Sequence, residues 1–273
     1  PGLLPLLTVS ESLEVTMINS LAGQLREGGL IIQRPFREPH HSSSIAALVG
    51  GGTKARPGEV SLAHGGVLFL DELAEWQRGH LDALRQTVES SKAVVSRANH
   101  HVTYPARFQL IAAMNPCRCG YLGDPARACT KAPLCSRQYL SRISGPMLDR
   151  FDMMIEVGEV PISAMSRSGE GEDTAVILER VHAAREFASI RPQQKDNPIN
   201  AQLPPDRLED AVRLQAKASK LIEDAAEKQG LSARGYHRVL KVARTIADLD
   251  QSGDVTTAHA GEALQYRRLP VQA

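Results

Sequence analysis

Aromatic residues are scarce in this chain of 273 residues, at 4% of the composition with a single tryptophan. No apolar run approaches the roughly 20 residues that a membrane-spanning helix needs. The run at residues 66–70 is representative of the longest ones. A signal peptide is also lacking, so the sequence predicts a cytoplasmic protein without a membrane partner.

Neither sign of charge dominates the chain, since 32 Lys and Arg residues face 31 Asp and Glu residues, for a formal net charge of +1. This balance argues against a globally basic nucleic-acid-binding protein and against an acidic, disordered one. Charge is nevertheless uneven, because the stretch from Arg97 to Arg150 has eight basic and two acidic residues, a local charge of +6. That stretch is either an anion-binding surface or an ordinary solvated face.

The hydrophobic fraction of 42% is ample for a buried core, and the apolar patterns are of two kinds. Short apolar runs at 66–70, 108–114 and 153–160 predict parallel strands, and residues 93–104 predict a β-hairpin that turns at 99–101. Helical periodicity is present at 10–25, 77–90, 175–189, 206–228, 235–250 and 256–267. The sequence thus predicts an α/β domain over residues 1–161, a linker and connecting helix over 162–205, and an all-helical domain over 206–273.

Two adjacent carboxylates, Asp71 and Glu72, follow the buried strand predicted at residues 66–70. Open α/β sheets bind ligands at the carboxyl ends of their strands. Nucleotide hydrolysis needs one carboxylate near Mg²⁺ and another to orient or deprotonate the attacking water. The pair therefore fits a nucleotide hydrolase, and the alternative is an acidic cap on the following helix.

Three further polar residues could complete such a site. Asn115 ends the next predicted strand, where its amide could reach a phosphate or the attacking water, although Asn-Pro is also a common turn. Arg150 and Arg234 taken singly would be surface ion pairs of little energetic value.

All four cysteines lie within nineteen residues, at Cys117, Cys119, Cys129 and Cys135. Without a secretory context, disulfides are disfavoured. Four thiolates this close in sequence could enclose a tetrahedral Zn²⁺ ion. The alternative is four reduced cysteines with no shared ligand. Adjacent histidines in a loop rarely bind one metal together, so His40–His41 and His100–His101 are predicted to make loop contacts.

The order of these features resembles that of an AAA+ ATPase, with L-D-R-F-D at 148–152 and S-A-R at 232–234 as further matches. The resemblance is more narrowly to the magnesium-chelatase-like YifB/ComM family. It is carried by F-R-E-P-H-H at 36–41, A-H-G-G-V-L-F-L-D-E at 63–72, M-N-P-C-R-C-G at 114–120 and A-R-T-I-A-D-L at 243–249. It covers nearly the whole chain and implies an AAA+ core with a mostly parallel sheet, incomplete at its N-terminus, and a C-terminal all-helical lid.

The resemblance also implies roles for individual residues. Asp71 and Glu72 match the Walker B carboxylates, and Asn115 matches the residue called sensor 1. Arg234 matches sensor 2, and Arg150 matches the arginine finger that acts on nucleotide bound by a neighbouring subunit. ATP and Mg²⁺ are then the expected cofactors, and a ring of copies of the chain, a hexamer, is the expected assembly.

The sequence departs from the family in one respect, because it contains no G-x-x-x-x-G-K-[ST] phosphate-binding loop. Residues 1–5 resemble the family segment just after that loop. We therefore expect the chain to begin downstream of the loop, to be inactive alone and to belong to a longer ATPase.

The implied activity is that of the ComM helicases, which promote branch migration during natural transformation. Hairpins before sensor 1 in this clade resemble elements that touch the substrate, so Arg97, His100 and His101 are predicted to contact DNA. One alternative is the ATPase subunit of magnesium chelatase, which drives insertion of Mg²⁺ into protoporphyrin. Another is a non-catalytic interaction fragment. The cysteine stretch and residues 232–234 resemble the ComM-like branch better than the chelatase.

Overall fold

The computed structural model describes residues 2–25, 28–52, 54–97, 100–121, 127, 130–132, 134–158, 160, 171–194 and 199–267, with only the backbone at 96, 97 and 100. The chain forms two compact units. The first spans Leu6–Arg150 and is called the sheet unit. The second contains Gly2–Pro5 and the chain from Phe151 onward and is called the helical unit. The predicted boundary at residue 161 lies outside the described residues.

The sheet unit is built around a three-stranded parallel sheet. The strands described in this unit are β1 (Phe36–Arg37), β2 (Gly50–Gly51), β3 (Arg56–Pro57), β4 (Val67–Leu70), β5 (Lys92–Arg97), β6 (His100–Pro105) and β7 (Gln109–Ala112). The parallel sheet has the order β1-β4-β7, so β4 is central. Leu68 and Leu70 in β4 are fully buried because the strand has neighbours on both sides.

A close backbone approach fixes the start of β4. A Cβ atom on Gly66 would lie 1.9 Å from the carbonyl oxygen of Pro35, so only glycine fits where the two chain segments meet. The neighbouring amide of Val67 donates to the same carbonyl at 2.8 Å. This contact sets the register of β4 against β1.

Helices surround the sheet within this unit. They are α1 (Val9–Ala22), α2 (Ile45–Val49), α3 (Glu59–Leu62), α4 (Arg78–Ser90), α5 (Leu134–Leu140) and α6 (Gly145–Leu148). The helices predicted at 10–25 and 77–90 are confirmed as α1 and α4. In α1 the buried residues are Ser12, Val15 and Ile18, whereas the apolar side chains of Leu13 and Met17 are exposed.

The predicted hairpin is confirmed as the antiparallel pair β5–β6. Ala93 and Val95 are buried on one face, and the Tyr104 hydroxyl donates to the carbonyl oxygen of Ala55 at 2.8 Å. The predicted turn at 99–101 is wrong in extent, since His100 and His101 belong to β6. Polar side chains are readily tolerated in a solvated hairpin, so strand pairing continues beyond the apolar residues.

The helical unit contains α7 (Thr174–Ser189), α8 (Pro205–Val212), α9 (Ala216–Gln229), α10 (Ala233–Leu249) and α11 (Thr257–Gln265). Its core is formed mainly by Leu208, Ile222, Val239, Leu240 and Ala260, all fully buried. The single helix predicted over 206–228 is wrong. The chain breaks at Arg213, which adopts a φ of 52°, and Leu214 then pairs with Val255 in an isolated bridge.

The strand predicted at 153–160 is also wrong for the residues that are described, 153–158 and 160. The side chains of Ile155 and Val157 are 67% and 85% exposed, so this apolar run is not packed as a buried strand would be. The amide of Met154 donates instead to the carbonyl oxygen of Tyr266 at 2.8 Å, just past α11. An apolar run forms a strand only where a partner strand is available.

The predicted fold class is confirmed, with an α/β unit containing a parallel sheet followed by a helical region. The described helices include none that is both long enough and apolar enough to cross a membrane.

Candidate functional site

The paired carboxylates lie at the carboxyl end of the central strand β4. Asp71 directly follows Leu70, and the amide of Glu72 donates to Asp71 Oδ1 at 2.8 Å. Glu72 adopts left-handed backbone angles, with φ 50° and ψ 48°. A residue other than glycine is strained in this conformation, and such strain concentrates at functional sites.

The turn that holds the pair is anchored on both sides. The indole Nε1 of Trp76 donates to the carbonyl oxygen of Asp71 at 3.0 Å, and Trp76 is only 2% exposed. The amide of Leu73 donates to the carbonyl oxygen of Ala113 at 2.9 Å, which joins the turn to the chain after β7. The backbone under the two carboxylates is therefore fixed, while both side chains are exposed.

Asn115 lies at the same edge of the sheet. Because β4 and β7 are parallel neighbours with Leu70 opposite Ala112, their carboxyl ends coincide. The amide of Ala113 donates to the carbonyl oxygen of Leu70 at 2.9 Å, and Asn115 follows two residues later with its side chain exposed. The structure thus brings Asp71, Glu72 and Asn115 to one edge.

A histidine that the sequence analysis had not linked to the carboxylates contacts the pair. His41 Nδ1 lies 3.2 Å from Glu72 Oε2, in the loop that follows β1. The predicted loop contact holds for His40, whose Nδ1 lies 2.8 Å from Ser42 Oγ. The sequence offered one indication of this contact, because His41 comes shortly after a strand that neighbours β4.

A side chain of α4 holds the loop that carries His41. His80 is 4% exposed, and its Nε2 lies 2.8 Å from the carbonyl oxygen of Ser43, so this nitrogen carries the proton and donates it. The ring of His80 packs edge-on against Trp76 at a centroid separation of 5.9 Å. His80 therefore holds the His41 loop, Trp76 holds the carboxylate turn, and the contact between the two rings links these segments.

Arg150 is engaged within its own unit. Its guanidinium forms an ion pair with Glu89 of α4 and donates to the carbonyl oxygen of Pro146, and its side chain is 8% exposed. Among the described residues, none of the hydrogen bonds or ion pairs found for Arg150 is with Asp71, Glu72 or Asn115. The structure therefore leaves Arg150 apart from the carboxylate edge.

Arg234 lies in the first turn of α10 in the helical unit. Ser232 caps this helix, with its Oγ accepting from the amide of Gly235 at 3.0 Å, and the first turn contains no acidic residue. The positive end of the helix dipole together with an exposed guanidinium makes this turn suited to an anion.

The three predicted DNA-contact residues lie close together at the far end of the β5–β6 hairpin. Arg97 pairs directly with His100, and His101 pairs with Ser96. The His101 residue is exposed. The strand pairing therefore places these three residues next to one another in the hairpin.

Three of the four cysteines converge. The Sγ atoms of Cys117, Cys119 and Cys135 all lie within 4.8 Å of one another, and those of Cys117 and Cys119 are 3.2 Å apart. Cys129 lies outside the described residues, so its place in a metal site stays a prediction.

The helix α5, which carries Cys135, also reaches the carboxylate turn. Arg142, just past its end, donates to Glu75 Oε2 at 2.8 Å. Burial raises the pKa of the Tyr139 phenol, and the nearby carboxylates of Glu75 and Glu72 raise it further. This helix therefore lies between the cysteines and the turn after β4.

Comparison with known proteins identifies the family of this chain. The family model described as "Magnesium chelatase, subunit ChlI" matches residues 1–165, and the one described as "Magnesium chelatase, subunit ChlI C-terminal" matches residues 171–267. The chain belongs to the magnesium chelatase subunit ChlI family. Within this family, the predicted similarity to the YifB/ComM proteins is confirmed by individual relatives.

One relative is "Competence protein ComM" of Haemophilus influenzae, 46% identical over 270 residues that cover 98% of this chain and 52% of the relative. "Uncharacterized protein YifB" of Escherichia coli is 45% identical over 269 residues, with coverage of 98% and 52%. YifB of Salmonella typhimurium is 43% identical over 269 residues, with the same coverage. The chain therefore spans about half the length of the curated relatives it matches.

Proposed function

We propose that this chain forms the Walker B, sensor and lid portion of an AAA+ ATPase that acts as a ring-shaped motor on DNA. The observation that supports the ATPase most strongly is the convergence of Asp71, Glu72 and Asn115 at one edge of a parallel sheet. Ligands of open α/β sheets bind at such an edge. The strained backbone of Glu72 agrees with a functional role.

The side chains at this edge have distinct tasks in the proposal. Asp71 would hold Mg²⁺, which when bound with ATP neutralises charge on the transferring phosphoryl group. Glu72 orients the attacking water and accepts its proton, and the Asn115 amide donates to the phosphate or positions the same water. His41 holds the Glu72 carboxylate in place until water and nucleotide are bound.

The two arginines are proposed to contribute from other places. Arg234 meets the nucleotide phosphates from the lid, which agrees with its position in the first turn of α10. Arg150 acts on nucleotide bound by a neighbouring copy, and this requires it to leave or share its ion pair with Glu89. Hydrolysis is then coupled to subunit contact, and a hexameric ring of copies of the chain is the proposed assembly.

DNA is the proposed substrate of the motor. The hairpin end brings Arg97, His100 and His101 together by register, within the stretch of local charge +6. Contacts of this kind bind the phosphate backbone with little sequence preference. The name of one relative, "Competence protein ComM", agrees with DNA as the proposed partner.

The deciding experiment measures ATP hydrolysis with and without forked DNA, on the protein extended to the length of its relatives. Glu72→Gln is expected to lower the DNA-stimulated rate by at least about 100-fold, because the general base is lost. Glu227→Gln, which removes an exposed carboxylate near the end of α9 in the helical unit, is the control and is expected to stay within about threefold of wild type.

The outcomes separate the alternatives. Hydrolysis that no DNA structure stimulates, but that a tetrapyrrole and partner subunits do, would favour the magnesium chelatase activity. Absence of hydrolysis in the extended protein would favour an interaction module.

Replacing Arg97 and His101 by alanine is expected to weaken DNA stimulation and its salt dependence while leaving the DNA-free rate unchanged. Arg85→Ala, on the exposed side of α4, serves as the control.

A further inference from the structure

The thiol cluster, defined as Cys117, Cys119 and Cys135, joins two segments of the sheet unit. Cys117 and Cys119 follow Asn115 in the chain beyond β7, whereas Cys135 is in the first turn of α5. Their three Sγ atoms lie within 4.8 Å of one another. Cys117 is fully buried, and the other two are partly exposed.

The chemistry and spacing of these thiols fit zinc. Thiolate is a preferred zinc ligand, and a tetrahedral ion with Zn–S bonds of about 2.3 Å separates neighbouring sulfurs by about 3.8 Å. The observed separations, from 3.2 Å between Cys117 and Cys119 to at most 4.8 Å in the cluster, bracket this value. Small shifts of the side chains would therefore bring all three thiolates to zinc-binding distance, with the fourth tetrahedral position taken by one further ligand such as water.

The backbone around the cluster is already ordered by other contacts. The Ser136 hydroxyl, which is buried, donates to the carbonyl oxygen of Pro116 at 2.7 Å. The amide of Gly120 donates to the carbonyl oxygen of Cys117 at 3.1 Å, and Gly120 has a φ of 82°, which closes a turn around Cys119. These contacts bring the thiols together from both segments, as a preorganised ligand set requires.

We propose that the thiol cluster binds one zinc ion, and that this ion fastens the segment carrying Asn115 to α5. The ion takes no part in chemistry. Because Arg142, beyond the other end of α5, donates to Glu75 in the turn after Glu72, the same helix connects both sides of the carboxylate edge. The zinc site itself does not rest on the proposed ATPase function.

The first test measures metal content by mass spectrometry on the chain purified without added metal or chelator. About one zinc per chain is expected for the wild type. Cys117→Ser and Cys135→Ser are each expected to reduce zinc at least about fivefold. Leu134→Ser is the matched control, because it adds the same polar side chain to α5 at an exposed position without removing a thiol, and it is expected to retain the metal.

The second test measures hydrogen exchange on wild-type protein before and after removal of zinc by a chelator, so that it does not depend on a variant that folds. Loss of metal is expected to speed exchange at least about tenfold in peptides covering residues 113–120 and 134–140. Peptides from α10 and α11 in the helical unit are expected to exchange as before.

Several results would overturn the proposal. One is less than about a tenth of an equivalent of zinc in the wild type. Others are iron in place of zinc, a disulfide between Cys117 and Cys119 in the protein as purified, or unchanged exchange in both segments after zinc is removed. All of these are read without nucleotide, so failure of the zinc site is distinguishable from failure of the proposed ATPase.

Discussion

The sheet unit and the helical unit differ in how they use charged side chains. At the end of β4, Asp71 and Glu72 are exposed, and the side chain of Glu72 is 52% accessible with His41 Nδ1 at 3.2 Å from its carboxylate. In the helical unit, Arg244 is fully buried and Asp248 is 2% exposed. One region leaves charge available to a ligand, and the other satisfies it internally.

The buried pair is saturated with partners. Arg244 donates to Asp248 and to the carbonyl oxygens of Val212, Ser252 and Gly253. Asp248 also accepts hydrogen bonds from Arg191 and Asn200. Burial lowers the pKa of the Arg244 guanidinium, and the Asp248 carboxylate acts in the opposite direction. A charged group with this many internal partners stabilises the fold and has little capacity left for a ligand.

This difference changes the meaning of the family resemblance. The phrase A-R-T-I-A-D-L at 243–249 contains both Arg244 and Asp248, four residues apart on α10. Its resemblance to the family therefore reflects a structural network in this chain. The phrase that contains Asp71 and Glu72 has side chains left open at a sheet edge, and open side chains are what a ligand site requires.

The largest expected effect is on the helical unit. Arg244→Met is expected to lower its free energy of unfolding by about 3–5 kcal/mol, because Asp248 would lose one of its two arginine partners and three backbone carbonyl oxygens would lose their buried donor. Arg180→Met removes an exposed ion pair with Glu172 and is expected to cost less than about 1 kcal/mol. Urea unfolding followed by circular dichroism measures both. Equal losses in the free energy of unfolding for the two variants would contradict the proposed difference between buried and exposed charged pairs.

A smaller effect is expected from pH in the sheet unit. His64 is 2% exposed, its Nδ1 accepts from the amide of Arg107 at 3.0 Å, and its Nε2 therefore donates to Glu14 at 2.8 Å. Burial lowers the pKa of His64, and the hydrogen bond to Glu14 only partly offsets this. The folded state thus favours the neutral ring, so its contribution to stability is complete above the ordinary pKa and is lost as pH falls below it.

Urea unfolding of the sheet unit at pH 7.5 and 5.5 tests this expectation. The free energy of unfolding is expected to fall on acidification, with a slope of at most about 1.4 kcal/mol for each pH unit from this one group. His64→Gln is expected to flatten the dependence, whereas His182→Gln, on an exposed position of α7, is expected to leave it unchanged. A steeper dependence in His64→Gln would contradict the assignment of the neutral ring.

The smallest expected effect concerns backbone strain. Glu72 and Ser91 both adopt left-handed angles, with φ of 50° and 55°. Replacing either by glycine is expected to raise the free energy of unfolding by about 0.5–1 kcal/mol. Only Glu72→Gly is expected to abolish ATP hydrolysis in the extended protein. If Glu72→Gly destabilises the sheet unit while Ser91→Gly stabilises it, the left-handed backbone of Glu72 is not strained.

Local patterns were sufficient to predict β4, β7, α4 and the β5–β6 hairpin, because each has apolar residues at the spacing of its own element. The convergence of Asp71 with Asn115 was also predictable, since parallel neighbouring strands end at the same edge. The break at Arg213 and the absence of a strand at 153–158 were not predictable. Both depend on partners distant in sequence, such as Val255 and Tyr266.

The contact of His41 with Glu72 was missed for the same reason, because these residues are separated by thirty positions and meet only when the strands pair. The proximity of Cys117, Cys119 and Cys135 fits one of the two alternatives that the sequence left open, and their short spacing was the basis for it, whereas a zinc site that includes Cys129 stays a prediction. The roles of Arg150, Arg234 and the hairpin residues stay predictions, since they depend on partners such as nucleotide, a neighbouring subunit or DNA.

Trp76 gives the sheet unit a built-in optical reporter. It is the single tryptophan of the chain, it is buried, and its indole donates to the backbone of Asp71. Its emission therefore originates four residues after Glu72 and beside His80. Any rearrangement of this turn changes the hydrogen bond and the surroundings of the indole together, so the intrinsic fluorescence of this chain follows its proposed catalytic turn without an attached dye.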